Sequence, residues 1–304
     1  LSGGRVQSVA VRLICERQAE IESFKPEEYW TIDTELRTAS GAVIPAHVVI
    51  PKEIADQAAA EAVKAAIENA PAITVKEVKR KLRTRNPLPP FITSTLQQAA
   101  SSKLRFSAKK TMMLAQQLYE GIAIGEGGEM SGLITYMRTD SPAISVEALQ
   151  SVRDYIQANH GANYLPENPR LYQAKKNAQA AHEAIRPTDI ANTPEKLSPY
   201  LNRDQLALYE MIWKRLMASQ MQSATYDQTA IEIAAGDVQL RASGSVLKFE
   251  GFLRVYEEQE ESEAILPEGV SAGDRLELGK IDPKQHFTQP PARYTEASLI
   301  KELE

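Results

Sequence analysis

Cysteine is almost absent from this chain of 304 residues, and histidine is scarce. Cys15 is the only cysteine, so the chain cannot form an internal disulfide or a zinc site made of several of its own cysteines. We expect Cys15 to be a small buried hydrophobic residue, because it lies in an apolar pattern of helical spacing. The four histidines are far apart in sequence, and they predict no metal site.

Long hydrophobic runs are absent as well. No apolar stretch approaches the roughly 18 residues that span a bilayer, and the N-terminus lacks the pattern of a signal peptide. We therefore expect a cytoplasmic protein with no membrane partner. The composition, 43% hydrophobic and 25% charged, is that of a soluble globular protein, and the length predicts two or three domains.

Charge is distributed unevenly along the chain. The formal net charge of -5, taken alone, argues weakly against a nucleic-acid partner. Residues 76–110 nevertheless contain ten basic residues and a single acidic one, Glu77, while five glutamates between 257 and 263 supply compensating acid. The ten are Lys76, Lys79, Arg80, Lys81, Arg83, Arg85, Lys103, Arg105, Lys109 and Lys110. This segment predicts a phosphate-binding surface, although a solvated protein face can have the same composition.

Hydrophobic periodicity divides the chain into a β part and a helical part. Helical spacing predicts a helix over 5–22, β-branched alternation predicts strands over 29–50 and 73–82, and an alanine-rich stretch predicts a helix over 53–69. Prolines at 87, 89 and 90 require an extended connector there.

The region from 96 to 222 reads as predominantly helical, and strands return after 223. Ser94 or Thr95 is expected to cap the first of these helices, Ser107 and Ser145 to cap two later ones, and Gly161 to stop the last. Strands are predicted at 229–233, 238–242, 246–249 and 276–278, followed by a helix from 294. A helical insert thus separates two segments of one β domain.

The segment 132–141 (GLITYMRTDS) contains the strongest candidate for chemistry. A tyrosine can attack phosphorus and retain the product as a phosphodiester, and a guanidinium two residues later can grip two phosphate oxygens. Tyr136 is therefore the candidate nucleophile and Arg138 the candidate phosphate clamp. From these residues alone a structural role for both is the commoner outcome, since the chain has 11 tyrosines.

A second candidate site lies at the start of the chain. Ser2, Gly3 and Gly4 precede the first predicted helix and offer free backbone N–H groups to a phosphate. Arg5 and Arg12 are two helical turns apart on nearly the same face. A glycine turn followed by a solvated arginine face would give the same pattern.

Five stretches in order resemble the type IA DNA topoisomerases. They are residues 4–10 (GRVQSVA), 90–98 (PFITSTLQQ), 132–141 (GLITYMRTDS), 181–188 (AHEAIRPT) and 289–297 (QPPARYTEA). The resemblance implies an α+β multidomain core with a discontinuous β arch, a helical, winged-helix-like tyrosine domain and part of a helical base. The corresponding boundaries are 1–28 for the base, 29–93 for the first arch segment, 94–222 for the tyrosine domain, 223–291 for the second arch segment and 292–304 for the returning base.

The same resemblance implies a function and a set of site residues. Enzymes of this family are isomerases that cleave one DNA strand through a 5′-phosphotyrosine, pass a strand through the gap and reseal it, relaxing negatively supercoiled DNA. It implies catalytic roles for Tyr136, Arg138 and His182, the last on a helix ended by Pro187. It also implies contacts with single-stranded DNA from a larger set. These residues are Ser2, Gly3, Gly4, Arg5, Val6, Gln7, Arg12, Arg138 and His182.

The family's Mg²⁺ site lies in an N-terminal toprim domain that this sequence does not show. We therefore expect a truncated, monomeric form that binds no metal of its own and does not relax DNA alone. Two rivals are a non-catalytic module that binds single-stranded DNA and a tyrosine nuclease of the replication-initiation kind. The nuclease would need closely paired metal-binding histidines, whereas His47, His160, His182 and His286 are widely spaced.

Overall fold

The computed structural model describes residues 5–49, 53–125, 127–173, 183–256 and 264–303, with the backbone only for Arg5 and Val6. The helices are α1 (Arg5–Ser23), α2 (Gln57–Glu68), α3 (Thr93–Ala99), α4 (Ala108–Glu120), α5 (Val146–His160), α6 (Pro194–Leu197), α7 (Arg203–Gln220) and α8 (Glu296–Leu303). The strands are β1 (Glu28–Arg37), β2 (Val43–Val49), β3 (Ile73–Arg85), β4 (Ile122–Ile124), β5 (Glu129–Ser131), β6 (Ala224–Ala235), β7 (Val238–Phe249) and β8 (Arg275–Phe287). Shorter helical turns cover Ala100–Leu104 (π), Ala162–Tyr164 and Gly251–Arg254 (both 3-10).

Six strands close into an antiparallel barrel in the order β1-β2-β7-β6-β3-β8. Alternate residues point inward, because successive side chains of a strand face opposite sides. Leu36, Ile44, Ile231 and Leu240 are among the inward residues that are almost fully buried, and α2 adds Ile67 to the same core. Burial of each such side chain contributes about 1.5–3 kcal/mol. The α+β class and the division of the β domain into two sequence segments are confirmed.

The strands β3, β6 and β7 continue beyond the barrel as a three-stranded ribbon. The β3–β6 ladder runs from Ile73 opposite Ala235 to Arg85 opposite Ala224. Near its far end Leu82 is 73% exposed, because the sheet is no longer covered by the rest of the barrel. The ribbon leads directly into the helical unit, which begins after Arg85 and ends before Ala224.

The helical unit has one core of its own, centred on α7. Phe91, Leu118, Ile134, Ile156 and Tyr209 are fully or almost fully buried in this cluster. Its size explains why the helices are stable, since isolated helices of this length are marginal in water.

Arg215 on α7 fastens the proline-rich connector to this unit. Its side chain is 7% exposed, and its Nε donates to the carbonyl of Pro89 at 2.7 Å. Its guanidinium also lies 4.6 Å from the ring centroid of Phe91. A buried charge is tolerated here because it is hydrogen-bonded and packed against aromatic rings.

The predicted caps of α4 and α5 are confirmed. Ser107 accepts a hydrogen bond from the amide of Lys110 and Ser145 accepts one from the amide of Ala148, at 3.2 and 3.3 Å. Gly161 follows α5 with a φ of +92°, a conformation that glycine adopts without steric cost.

The first and last parts of the described chain pack together. Arg17 on α1 donates to the carbonyl of Ala292 at 2.7 Å and to the hydroxyl of Tyr294 at 3.0 Å, and its guanidinium lies 4.1 Å from the centre of that ring. Helix α8 then packs against α3, and Glu296 accepts a hydrogen bond from the amide of Ala108 at 2.9 Å. The domain boundaries themselves stay predictions.

Three local predictions were wrong. Cys15 is exposed rather than buried, because within the described residues no element covers the side of α1 that carries Val9 and Ile14, both also exposed. Helix α3 is capped at Ile92, with Thr95 at its third position accepting from the Ile92 amide at 3.0 Å. The two strands predicted at 238–249 are one continuous strand, β7.

Candidate active site

Three of the stretches singled out in the sequence meet in space. Ile185 donates its amide hydrogen to the carbonyl of Phe91 at 2.8 Å, and Thr135 donates its amide hydrogen to the carbonyl of Arg186 at 2.9 Å. Short antiparallel bridges join Phe91 to Ile185 and Ile134 to Pro187. Segments separated by about forty to fifty residues thus form one small, irregular sheet under the candidate nucleophile.

From residue 136 to residue 141 the segment alternates between exposed and buried side chains. Met137, Thr139 and Ser141 point into the core, whereas Tyr136, Arg138 and Asp140 are exposed. Tyr136 and Arg138 flank a bend at Met137, and both side chains are accessible from solvent, Tyr136 with 40% of its surface exposed.

Thr135 fixes the N-terminal side of this segment. Its hydroxyl donates to the carbonyl of Ala184 at 2.6 Å and accepts from the amide of Arg186 at 3.0 Å. The residue immediately before the nucleophile is thereby tied to the extended segment 183–187. The role of Thr135 is a feature that sequence reasoning missed.

Thr93 fixes the other side, around Arg138. Its hydroxyl lies 2.9 Å from the carbonyl oxygen of Met137 and 3.0 Å from that of Thr139, and it accepts from the Thr139 amide at 2.9 Å. Its own amide donates to the same Thr139 carbonyl at 2.9 Å. Its place in the PFITSTLQQ stretch was the available signal, but one sequence gives no means of pairing Thr93 with residues 137–139.

Tyr119 packs against the nucleophile from α4. The two rings meet edge to face, with centroids 5.3 Å apart at 65°, a geometry that aromatic pairs favour. The segment reaches this place through a close backbone approach, since a Cβ on Gly132 would lie 2.7 Å from the carbonyl oxygen of Tyr119. Leu133 completes the contact by donating its amide hydrogen to the carbonyl of Leu118 at 2.7 Å.

His182 lies outside the described residues, so its predicted place beside the phosphate stays a prediction. The helix expected to end at Pro187 is wrong for residues 183–187, which are extended and pair with the segments at 91 and 134–135. Arg186 donates from Nε to Glu183 at 2.7 Å and from Nη1 to the Pro187 carbonyl at 3.0 Å. With its side chain 13% exposed, Arg186 stabilises the extended segment 183–187.

Comparison with known proteins identifies the family. A sequence model described as DNA topoisomerase matches residues 1–304. The chain belongs to the type IA DNA topoisomerase family. It is 48% identical to DNA topoisomerase 1 of Pseudomonas aeruginosa and 45% identical to that of Xylella fastidiosa, in both cases over all of this chain but over 34% and 39% of the relative. It thus spans well under half the length of these relatives.

A solved topoisomerase has the same fold. Full-length topoisomerase I from Thermotoga maritima superimposes with a TM-score of 0.81 at 36% identity, over all of this chain and 48% of that one. The barrel with its helical insert is therefore the topoisomerase I core architecture, as the resemblance implied.

The predicted DNA-binding residues of this topoisomerase chain are only partly described. Ser2, Gly3 and Gly4 lie outside the described residues, as do the side chains of Arg5 and Val6. Gln7 is exposed on α1, and Arg12 donates to Glu16 at 2.7 Å with its side chain 77% exposed. A phosphate would have to replace this exposed ion pair, which costs little because water screens it.

In the folded chain, acidic side chains partly neutralise the charge of the basic segment 76–110. Lys79 lies between Glu77 and Glu232, at 2.9 and 3.0 Å, and Lys110 is 2.6 Å from Asp204. Acids from β6 and α7 reach these lysines because the fold packs those elements beside them. The segment retains exposed lysines and arginines along β3, so it stays a candidate phosphate-binding surface.

Across the described ranges, no three histidine, cysteine, aspartate or glutamate side chains come close enough to hold a metal ion. The described side chains therefore offer no site for the Mg²⁺ that the family resemblance implies. Among the same residues no helix is long and apolar enough to cross a membrane.

Proposed function

We propose that this chain carries the strand-cleaving half of a type IA topoisomerase reaction on single-stranded DNA. The oxygen of Tyr136 attacks a backbone phosphorus, and the bond to the 3′ oxygen breaks as the bond to tyrosine forms. The phenol proton passes, in net balance, to the released 3′ hydroxyl. The number of phosphodiester bonds is unchanged, so resealing is the same step reversed and needs no energy-rich cofactor.

The observation that carries this proposal is the exposure of both Tyr136 and Arg138 on one short segment of the chain. A nucleophile at the surface can reach a DNA backbone, and a neighbouring guanidinium can stabilise the negative charge that develops on the phosphate. Thr135 and Thr93 hold the segment on both sides, so little reorganisation is needed when DNA binds. His182 is proposed to contact the same phosphate.

We further propose that the full-length protein passes a second strand through the gap and relaxes negatively supercoiled DNA, with Mg²⁺ held outside the described residues. We propose a cytoplasmic location, since its relatives are bacterial DNA topoisomerases. We propose that it acts as a monomer.

The deciding experiment measures covalent attachment in the full-length protein. A labelled single-stranded oligonucleotide is incubated with Mg²⁺, the reaction is stopped with denaturant, and the protein–DNA adduct is counted. Tyr136→Phe keeps nearly the whole ring but lacks the attacking oxygen, so we expect no adduct and normal DNA affinity. Adduct formed by this variant would show that Tyr136 is not the nucleophile.

The same assay tests Arg138. Arg138→Lys keeps one positive charge but loses the two-pronged guanidinium, so we expect the cleavage rate to fall roughly a hundredfold, or about 3 kcal/mol, with a much smaller change in affinity. Tyr119→Phe is the matched control, since it keeps the ring beside Tyr136 and should cleave normally. A wild-type cleavage rate for Arg138→Lys would contradict the proposed role of Arg138 as the phosphate clamp.

The rival function is a module that binds single-stranded DNA without cleaving it. The basic strand β3 favours this function as well as the first, so binding alone cannot separate them. Absence of adduct in the wild-type full-length protein, with DNA bound, would favour the rival.

A further inference from the structure

Thr93 contacts both peptide groups that flank Arg138. Its hydroxyl has a single proton, so it shares that proton between the carbonyls of Met137 and Thr139 while accepting from the Thr139 amide. With the backbone bond from the Thr93 amide to the Thr139 carbonyl, four contacts of 2.9–3.0 Å converge on one turn.

The residue that makes these contacts stands on a rigid element. Thr93 is the first residue of α3, directly after the cap at Ile92, whose amide and carbonyl are both engaged by Thr95. One turn later Leu96 is fully buried in the core of the helical unit. The hydroxyl of Thr93 is therefore fixed relative to that core.

Arg138, the central residue of this turn, differs from its two neighbours in exposure. Met137 and Thr139 are buried and hold the turn down, whereas Arg138 between them is exposed. The place of its guanidinium depends on the backbone orientation at 138, and a long side chain amplifies a small rotation of that backbone. A displacement of about 1 Å in a charged group can cost two orders of magnitude in rate.

We propose that Thr93 is a positioning residue of the cleavage reaction, whose hydroxyl orients the backbone at Arg138 so that the guanidinium meets the phosphate attacked by Tyr136. This inference rests on the proposed function. Thr93 does not touch the DNA itself, so its removal slows the chemical step while leaving DNA binding in place.

The test uses full-length protein and single-turnover cleavage of a saturating labelled oligonucleotide. Thr93→Val replaces the hydroxyl by a methyl group of similar size, and we expect the cleavage rate to fall at least about tenfold. DNA affinity, measured by fluorescence anisotropy without Mg²⁺, should change less than about twofold. Thr93→Ser keeps the hydroxyl and should restore most of the rate.

Thr34→Val supplies a matched control for stability. The Thr34 hydroxyl is buried in the barrel and donates to the carbonyl of Ala46 at 3.1 Å, far from the tyrosine segment in the fold. Its loss should lower the melting temperature without slowing cleavage. If Thr93→Val does not fold at the assay temperature, Thr93→Ala is measured at a temperature where it and the wild type are both folded.

A double variant shows whether Thr93 acts through Arg138. If it does, adding Thr93→Val to Arg138→Lys should slow the reaction by much less than the product of the two single effects. Independent, multiplicative effects, or a wild-type rate for Thr93→Val, would overturn the inference. The proposed function is tested separately, because it fails if the wild-type protein forms no adduct or if Tyr136→Phe still forms one.

Discussion

The exposed residues of the tyrosine segment depend on buried neighbours of ordinary chemistry. Met137 is 1% exposed and Thr139 is 7% exposed, and both lie between or beside the side chains proposed to react. A core substitution at either place would therefore change activity through position as well as stability.

The fold changes the pKa of His160, the last residue of α5. Burial lowers the pKa of its imidazole below the ordinary value of 6.5, and the positive charge of Arg254 lowers it further. Its Nδ1 is buried without a hydrogen-bond partner, and its ring faces Tyr164, whose hydroxyl is held by Glu250 and Arg254.

A depressed pKa makes stability depend on pH in one direction. Above about pH 7.5 His160 is neutral in both states and contributes no penalty, whereas below about 6.5 the unfolded chain takes up a proton that the folded chain resists. The melting temperature should therefore fall between about pH 7.5 and pH 5.5, and His160→Gln should reduce that fall. His47→Gln, at an exposed barrel position, is the control; an unchanged pH dependence in His160→Gln would contradict the argument.

Among the elements, the approach of the tyrosine segment to α4 depends on Gly132. A methyl group there would lie 2.7 Å from the backbone oxygen of Tyr119, which cannot move without shifting the end of α4. We expect Gly132→Ala to displace the segment and lower the cleavage rate about tenfold or more. Gly127→Ala in the nearby hairpin, where the nearest neighbouring atom is 4.0 Å away, should have wild-type activity. Equal activity of the two variants would show that the close approach is unimportant.

Elements with local signals could be predicted, and those defined by distant partners could not. Ser107 and Ser145 start their helices and Gly161 ends one, because caps act within a single turn. Residues 183–187 look helical by composition, but hydrogen bonds to Phe91 and Thr135 keep them extended. Tertiary pairing outweighs a weak local preference there.

The residues of the candidate site also divide into those that a local signal could predict and those that depend on distant partners. Tyr136 and Arg138 were found from their chemical type, and both lie exposed on the same segment. Thr93 and Tyr119 were missed because their roles exist only once α3 and α4 are packed beside the segment.

For the molecule as a whole, we expect single-stranded DNA to bind weakly and with a steep dependence on salt. Exposed basic residues along β3 and on α1 are the motivation, since phosphate contacts release counterions and each contributes about 0.7 to the slope of log affinity against log salt. The measurement is anisotropy of a labelled oligonucleotide at several salt concentrations.

A paired variant localises this effect. Lys76→Gln with Lys81→Gln removes two exposed charges from β3 and should lower the slope by roughly one to one and a half, whereas Lys64→Gln on α2, which is 3.8 Å from Glu61, should leave it unchanged. An affinity that does not vary with salt would show that the basic strand is only a solvated face.

The insertion of the helical unit into the barrel has a consequence for the order of assembly during synthesis. When β3 leaves the ribosome, the 138 residues from 86 to 223 must still be made before its partner β6, and β1 cannot meet β8 until residue 275 has been made. The helical unit, whose contacts lie mostly within residues 91–256, can fold during this interval. The first three strands meanwhile have unpaired edges, which are prone to associate with other chains. Slow translation of the insert would therefore prolong the interval in which a nascent chain is vulnerable to aggregation, and the finished helical unit would bring Arg85 and Ala224 together as the starting pair of barrel closure.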